Sequence, residues 1–130
     1  MIISKTPYRI SFFGGGSDYP EWFRKEGHYG EVISTTIDKY VYLSIRKLNP
    51  YFGYKYRLSY SSIEEANSYS NIKHKALKGL IKHYKPKIGL EIHYDGDLPA
   101  RSGMGSSSSF TVGAINAYNN LIGKKIKKKN

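Results

Sequence analysis

The stretch from Ile88 to Ile122 constrains this chain more than any other. Ile88, Leu90, Ile92 and Tyr94 alternate with Gly89, Glu91 and His93, the period-two pattern of a half-buried strand. From Ser106 to Ile122 the apolar residues Phe110, Ala114, Ile115, Ala117, Tyr118, Leu121 and Ile122 supply a helical stripe, and Gly123 follows as a C′ residue. Between these two patterns, Asp95 to Gly105 holds Gly96, Pro99, Gly103 and Gly105, residues that helices avoid. A strand, a glycine-rich loop and a helix in that order require a helical layer packed on a sheet.

The remaining patterns extend the same architecture. Ile2 to Phe13 reads as a strand in which Tyr8, Ile10 and Phe12 alternate with Arg9 and Ser11. Pro7 lacks an N–H, so the strand is expected at a sheet edge or bulged at that point. Gly14 to Pro20 is a turn by composition, and Glu21 to Glu26 is a short helix closed by Gly27. Glu31 to Leu48 reads as one or two strands, and Tyr56 to Tyr60 as another. Asn71 to Lys85 is amphipathic. Ile72, Ala76, Leu77, Leu80, Ile81 and Tyr84 form its apolar stripe, lysines occupy the opposite face, and Pro86 stops it. The order is β-β-β-α-β-loop-α, an α+β fold with a mostly antiparallel or mixed sheet over residues 1–123, followed by a lysine-rich tail at 124–130.

Composition narrows the partners. The 130 residues carry 21 Lys+Arg against 10 Asp+Glu, a formal net charge of +11. Such an excess raises nucleic acid, anionic membrane and phosphorylated small molecules as ligands. Five of the positive charges lie in the tail, so the body carries +6. With no cysteine there is no disulfide framework, thiolate metal site or cysteine nucleophile, which fits a cytoplasmic location. No run approaches the ~20 apolar residues of a membrane span, so no membrane partner is expected. His28, His74, His83 and His93 have no metal-ligand spacing, and His74 and His83 fall on the lysine-rich helix as solvated residues.

The chemistry concentrates in Leu98 to Ser109, which reads Leu-Pro-Ala-Arg-Ser-Gly-Met-Gly-Ser-Ser-Ser-Ser. Glycines at 103 and 105 let the backbone approach a ligand and adopt conformations closed to other residues. Successive N–H groups in such a turn form an anion site, and the following helix adds its free N–H groups and positive dipole end. Ser106 to Ser109 supply hydroxyls for phosphate or Mg²⁺. The plainer alternative is a loop whose serine caps a helix. The string is not the G-x-x-x-x-G-K-[ST] P-loop, because no lysine follows the second glycine.

As a whole, Pro99 to Ser108 resembles the P-x-x-x-G-[LM]-G-S-S-[AS] phosphate motif of the GHMP kinases. Tyr8-Arg9-Ile10-Ser11-Phe12-Phe13-Gly14-Gly15-Gly16-Ser17-Asp18-Tyr19 is similar to the N-terminal sugar segment of that superfamily. Its Gly-Gly-Gly-Ser-Asp form, together with Thr36-Ile37-Asp38-Lys39-Tyr40, resembles the branch acting on D-glycero-D-manno-heptose 7-phosphate and fucose kinase-like members. The resemblance covers residues 1 to about 123. It implies the N-terminal domain of an ATP-dependent sugar kinase, a fold shared with some ribosomal proteins. Pro99, Ser102, Gly103, Met104, Gly105, Ser106, Ser107 and Ser108 would lie on the ATP phosphates, with Ser106 or Ser107 on Mg²⁺. Gly14, Gly15, Gly16, Ser17 and Asp18 would contact the sugar or sugar phosphate, with Arg9 beside the transferring phosphoryl group. Arg9 as an ordinary strand residue and Asp18 as a turn cap are the structural alternatives.

Family members are longer. The resemblance places an acidic Mg²⁺ ligand, a catalytic Asp in the members that use one, and a second glycine-rich motif beyond residues like these. The expectation is therefore the N-terminal part of a truncated kinase, a poor catalyst or none by itself, with apolar surface left uncovered. A basic RNA-binding module of ribosomal-protein-like fold is the rival reading, and a non-catalytic remnant is the third. No nucleic-acid partner is expected, because the lysines lie on a helix face and a tail, not interleaved with aromatics.

Overall fold

The computed structural model describes residues 1–99 and 102–124. The expected tail from residue 125 onward lies outside the described residues, as do residues 100 and 101 of the phosphate-motif segment. Five strands, β1 (Ile2–Phe13), β2 (Ile33–Leu48), β3 (Tyr56–Ser59), β4 (Ile63–Ala66) and β5 (Gly89–Gly96), form one sheet in the order β1-β2-β5-β3-β4. The helices are α1 (Pro20–Phe23), α2 (Lys75–Tyr84) and α3 (Ser106–Leu121). All neighbouring strands are antiparallel except β3 and β5, which run parallel. The chain is thus α+β with a mixed sheet, as its patterning requires.

Local chemistry sets the boundaries. β1 is a continuous edge strand whose register against β2 shifts between Pro7 and Arg9, the bulge expected where proline withholds a ladder N–H. α2 starts later than its apolar stripe suggests. Tyr69–Asn71 form a 3-10 turn, and the His74 imidazole accepts the Leu77 N–H as the helix cap. His74 is therefore half-buried between the Tyr60 and Phe110 rings, not solvated on the lysine face, whereas His83 is exposed. β4 escapes sequence reading because Ile63-Glu64-Glu65-Ala66 is short and half charged.

The core fills one face of the sheet. Ile2, Ile45, Ile92 and Leu58 stand side by side across β1, β2, β5 and β3, and Leu77, Ile81, Phe110, Ala114 and Tyr118 of α2 and α3 cover that face. α3 crosses β1 closely at Gly113, where a Cβ would lie 2.8 Å from Thr6 Oγ1 and 3.0 Å from Ser4 Oγ.

The opposite face carries a charge ladder in register: Arg46 faces Glu91, Glu91 faces Arg57, and Arg57 faces Glu65. Glu91 has a side chain only 3% exposed. It is ion-paired with Arg46 and with Arg57 at 2.8 Å, and it is hydrogen-bonded to His93 Nε2 at 3.0 Å. Burial pushes its carboxyl up, but the hydrogen bonds from Arg57, His93 and Arg46 outweigh burial and hold it below the ordinary value of 4.5.

Two predictions follow from this packing. Glu91→Ala strands Arg46 and Arg57 and should cost about 3 kcal/mol in urea unfolding at neutral pH. The folded carboxyl titrates below its unfolded value, so its stabilisation is complete above that value and lost as pH falls through the folded one. The variant should lack that part of the acid limb. The two helix-interior glycines should respond oppositely. Gly113→Val must push apart α3 and β1 and should cost about 2 kcal/mol. At Gly79 of α2, nothing lies within 4 Å of an added Cβ, so Gly79→Ala should raise stability by about 0.5–1 kcal/mol.

Candidate functional site

The bulged part of β1 grips the glycine-serine segment at three points. The Tyr8 hydroxyl donates to Leu98 O at 3.1 Å, the Arg9 N–H donates to Met104 O at 3.1 Å, and the Ser109 hydroxyl donates to Pro7 O at 2.8 Å. Tyr8 is fully buried in doing so. Burial, then the Tyr8 hydrogen bond, pushes the neighbouring Tyr94 phenol up to about 12, so it stays protonated.

α3 begins without a side-chain cap. Gly105 occupies the N-cap position at φ 71°, and the first helical bond runs from Ser109 N to Gly105 O. The serine-cap alternative is therefore excluded. The N–H groups of Ser106, Ser107 and Ser108 precede the first bonded turn. Gly103 also has a positive φ, 74°, so two left-handed glycines fold the loop back over the helix end. The Ser102 Oγ is buried there without a hydrogen-bond partner among the described residues. An orphaned buried hydroxyl beside free helix N–H groups fits an oxyanion ligand.

Two hollows flank this loop. One, of about 570 Å³, is lined by Arg9, Gly15, Gly16, Asp18, Ser102 and Gly103. It brings together residues from the two ends of the chain, and a Cβ on Gly105 would lie 3.7 Å from Arg9 Nε. The Arg9 guanidinium is held by the Ser11 hydroxyl. Asp18 Oδ1 accepts the Gly16 N–H at 3.1 Å, which uses one of about four acceptor positions on a carboxylate. The second hollow, of about 300 Å³, is lined by Tyr60, His74, Tyr94, Ser106, Ser107 and Phe110. Glu64 fixes its wall, accepting from Tyr60 Oη and from the Lys73 and His74 N–H groups. Burial lowers the His74 pKa, with Glu64 opposing. Neither Tyr60 nor His74 stands out in the sequence as a site residue, since an aromatic on a strand and a histidine before a helix are both common.

Not every expected site residue reaches a hollow. Pro99 is exposed at the start of the loop, and Ser108 is exposed on α3 and lines neither hollow. Met104 lines the larger hollow and packs against the core. Gly14 and Ser17 act at the base of the Gly14–Val32 loop. The Ser17 hydroxyl donates to Gly14 O and Glu31 O and accepts the Glu31 N–H. A Cβ on Gly14 would fall 1.8 Å from Glu31 O. Among the described residues, no group of three His, Asp or Glu side chains is placed to hold a metal ion, and no helix is long and apolar enough to cross a membrane.

Residues 71–130 match the family model for the GHMP kinases N terminal domain. The chain is 27% identical to the D-glycero-alpha-D-manno-heptose 7-phosphate kinase of Campylobacter jejuni, over 90% of this chain and 37% of that protein. It is also 27% identical to the galactokinase of Pyrococcus furiosus, over 92% of this chain and 34% of that one. The chain thus spans about a third of the curated relatives it matches. Its fold superposes on a D-glycero-D-manno-heptose 1-phosphate kinase from Bacteroides thetaiotaomicron with a TM-score of 0.75, at 24% identity, covering 97% of this chain and 44% of that one. The mevalonate kinase of Methanococcus jannaschii gives a TM-score of 0.68 at 23% identity, over 97% and 42% of the two chains. Over residues 71–130 the chain matches the N-terminal domain of the GHMP kinases, and its fold as a whole is shared with solved heptose and mevalonate kinases.

Proposed function

We propose that this chain binds the phosphates of ATP on Ser102 to Ser108 and presents them to a sugar hydroxyl held near Asp18. The observation that carries this reading is the placement of one uncapped helix end between two hollows of different chemistry. The apolar hollow, walled by Tyr60, His74 and Phe110, suits a flat heteroaromatic base. The polar hollow, with Arg9 and Asp18, suits the reacting end. The helix N–H groups and the orphaned Ser102 hydroxyl lie between them and suit the polyphosphate.

The donor set fits the nucleotide. Backbone N–H groups, a positive dipole end and serine hydroxyls favour phosphate oxygens. Mg²⁺ usually reaches such sites on the phosphates themselves with few protein ligands, and the Ser106 or Ser107 hydroxyl would hold it here. When bound, the nucleotide would supply the γ-phosphoryl group and the metal would offset its charge. Arg9 would lie against the transferring group, where a guanidinium offsets charge that grows in the transition state. Asp18 would accept a hydrogen bond from the acceptor hydroxyl and orient its oxygen. The heptose 7-phosphate kinase relative makes a heptose phosphate the first acceptor to test.

Titration calorimetry separates this reading from an RNA-binding one. Mg-ATP should bind saturably to the 130-residue chain. Gly105→Ala forces a left-handed φ on a residue with a Cβ and should weaken binding about tenfold, an effect of ~1.4 kcal/mol. Steeply salt-dependent RNA affinity with no Mg-ATP binding would favour the basic module instead.

A further inference from the structure

The end of the sheet opposite the glycine-serine loop carries a hollow that the kinase reading does not use. β2 ends at Leu48, β3 begins at Tyr56 and β5 begins at Gly89, so residues 47–56 and 85–89 meet there. The hollow has a volume of about 360 Å³, and its lining includes Gly53, Tyr54, Lys55, Asn67 and Lys87. We infer that this end of the molecule binds single-stranded nucleic acid. Lys47, Lys55, Lys85 and Lys87 take the backbone phosphates, and unstacked bases lie on the Tyr51 and Phe52 rings. The inference is independent of the kinase reading, and binding here is compatible with Mg-ATP at the other end of β5.

Charge and aromatic surface coincide here. The run Lys47-Leu48-Asn49-Pro50-Tyr51-Phe52-Gly53-Tyr54-Lys55-Tyr56 holds two lysines and four aromatic residues without an acid, and Lys85-Pro86-Lys87 adds two lysines more. The glutamates of the adjoining β4 are engaged elsewhere. Glu64 accepts from Tyr60 Oη and from the Lys73 and His74 N–H groups, and Glu65 faces Arg57 Nε at 3.6 Å. Four lysines without an acid among them attract a polyanion. Tyr51 is 94% exposed and Phe52 50%, so both rings are open to stacking.

The loop is held in one shape. Asn49 Oδ1 accepts the Tyr51 N–H at 3.1 Å at the start of a 3-10 turn over Pro50–Phe52. Gly53 follows at φ 73°, and Asn67 Nδ2 donates to its carbonyl at 3.2 Å. The Lys55 N–H donates to Ala66 O, and Lys55 O accepts the Leu90 N–H, so its backbone is tied on both sides. The Lys55 Nζ stands 5.6 Å from the Tyr56 ring centroid. Rings and ammonium groups placed in advance need little ordering on binding. Every base has a face that stacks on an aromatic ring, and a lysine-lined groove follows the backbone of a single strand. A recess between the lysines accepts a splayed base, whereas the flat surface of an anionic bilayer would leave it unfilled. A duplex keeps its bases stacked inside and would use the lysines without the rings.

Fluorescence anisotropy of a short fluorescein-labelled oligouridylate, titrated with the full 130-residue chain, tests this. Binding should saturate and weaken as salt rises. Joint Lys55→Gln and Lys87→Gln should raise the dissociation constant about tenfold and lower the salt slope by about 1.4. Joint Lys75→Gln and Lys82→Gln, the same charge change on the exposed side of α2, should alter it by no more than about twofold. Tyr51→Ala should weaken binding about tenfold, and Tyr51→Phe should stay near the parent value. The lysine-rich tail is common to every variant, so its contribution cancels, and matching thermal unfolding midpoints report that the variants are folded. Four results would each overturn the inference: no saturable binding, equal losses in the two lysine pairs, unchanged affinity in Tyr51→Ala, or duplex RNA bound as tightly as the single strand. Phosphatidylserine vesicles bound with the same dependence on Tyr51 and the Lys55–Lys87 pair would overturn it too, in favour of a membrane surface.

Discussion

The clasp between the bulge of β1 and the segment from Leu98 to Ser109 is the contact on which the site depends. Three successive residues, Pro7, Tyr8 and Arg9, bond respectively to the first turn of α3, the start of the loop and its middle. A regular strand presents alternate residues to opposite faces. Here Tyr8 turns its side chain into the core, while Pro7 and Arg9 reach the loop segment through backbone groups on either side of the register shift. The bulge also stands where the sheet narrows to a two-stranded ribbon. Beyond Tyr40, β2 no longer pairs with β5, and the ribbon of β1 and β2 carries the Gly14–Val32 loop toward the α3 end.

The charge distribution on the open sheet face bears on what the basic excess means. Arg46 and Arg57 are committed to Glu91 and Glu65 in a ladder of alternating sign, and Lys5 lies 3.8 Å over the Tyr40 ring. These cations are neutralised locally or engaged with an aromatic face. Like charges directly opposite would destabilise the sheet, and alternating ones contribute up to about 1 kcal/mol per pair. Lys75, Lys78 and Lys82 lie on the outer side of α2, opposite its buried Leu77, Leu80 and Ile81. A solvated lysine stripe with no stacking aromatics beside it is ordinary helix amphipathicity.

Much of this was legible because it is periodic or steric. The alternation of Ile88 to Tyr94 and the stripe of α3 mark elements with strong patterns, and Pro7 marks a bulge because a missing N–H has one structural consequence. The α+β class followed from residues alone, and the expectation that the N-terminal and glycine-serine motifs serve one site came through the family resemblance. What escaped was set by tertiary contact. β4 pairs only because β3 offers an edge to two glutamates and their flanks. The start of α2 depends on the His74 ring accepting a backbone N–H, a cap no composition rule would choose. Ser17 and Gly14 look like substrate ligands in sequence, yet the hydroxyl of one and the missing Cβ of the other are used in closing the loop on Glu31.

That last point changes how a glycine-rich motif beside a cleft should be weighed. In the Gly14–Asp18 turn only part of the string lines the cleft, namely Gly15, Gly16 and Asp18. Gly14 and Ser17 position the far limb, where His28 and Tyr29 sit. A tight turn needs glycine for its own closure as much as for a ligand's approach, so a motif of consecutive small residues mixes both requirements. The ligand-facing members are then recognised by what they stand opposite. Gly15, Gly16 and Asp18 share a hollow with Gly103 and Arg9. On the kinase reading, Asp18 marks the end of the phosphate path and the beginning of the acceptor's, and the rest of the loop serves to keep it there.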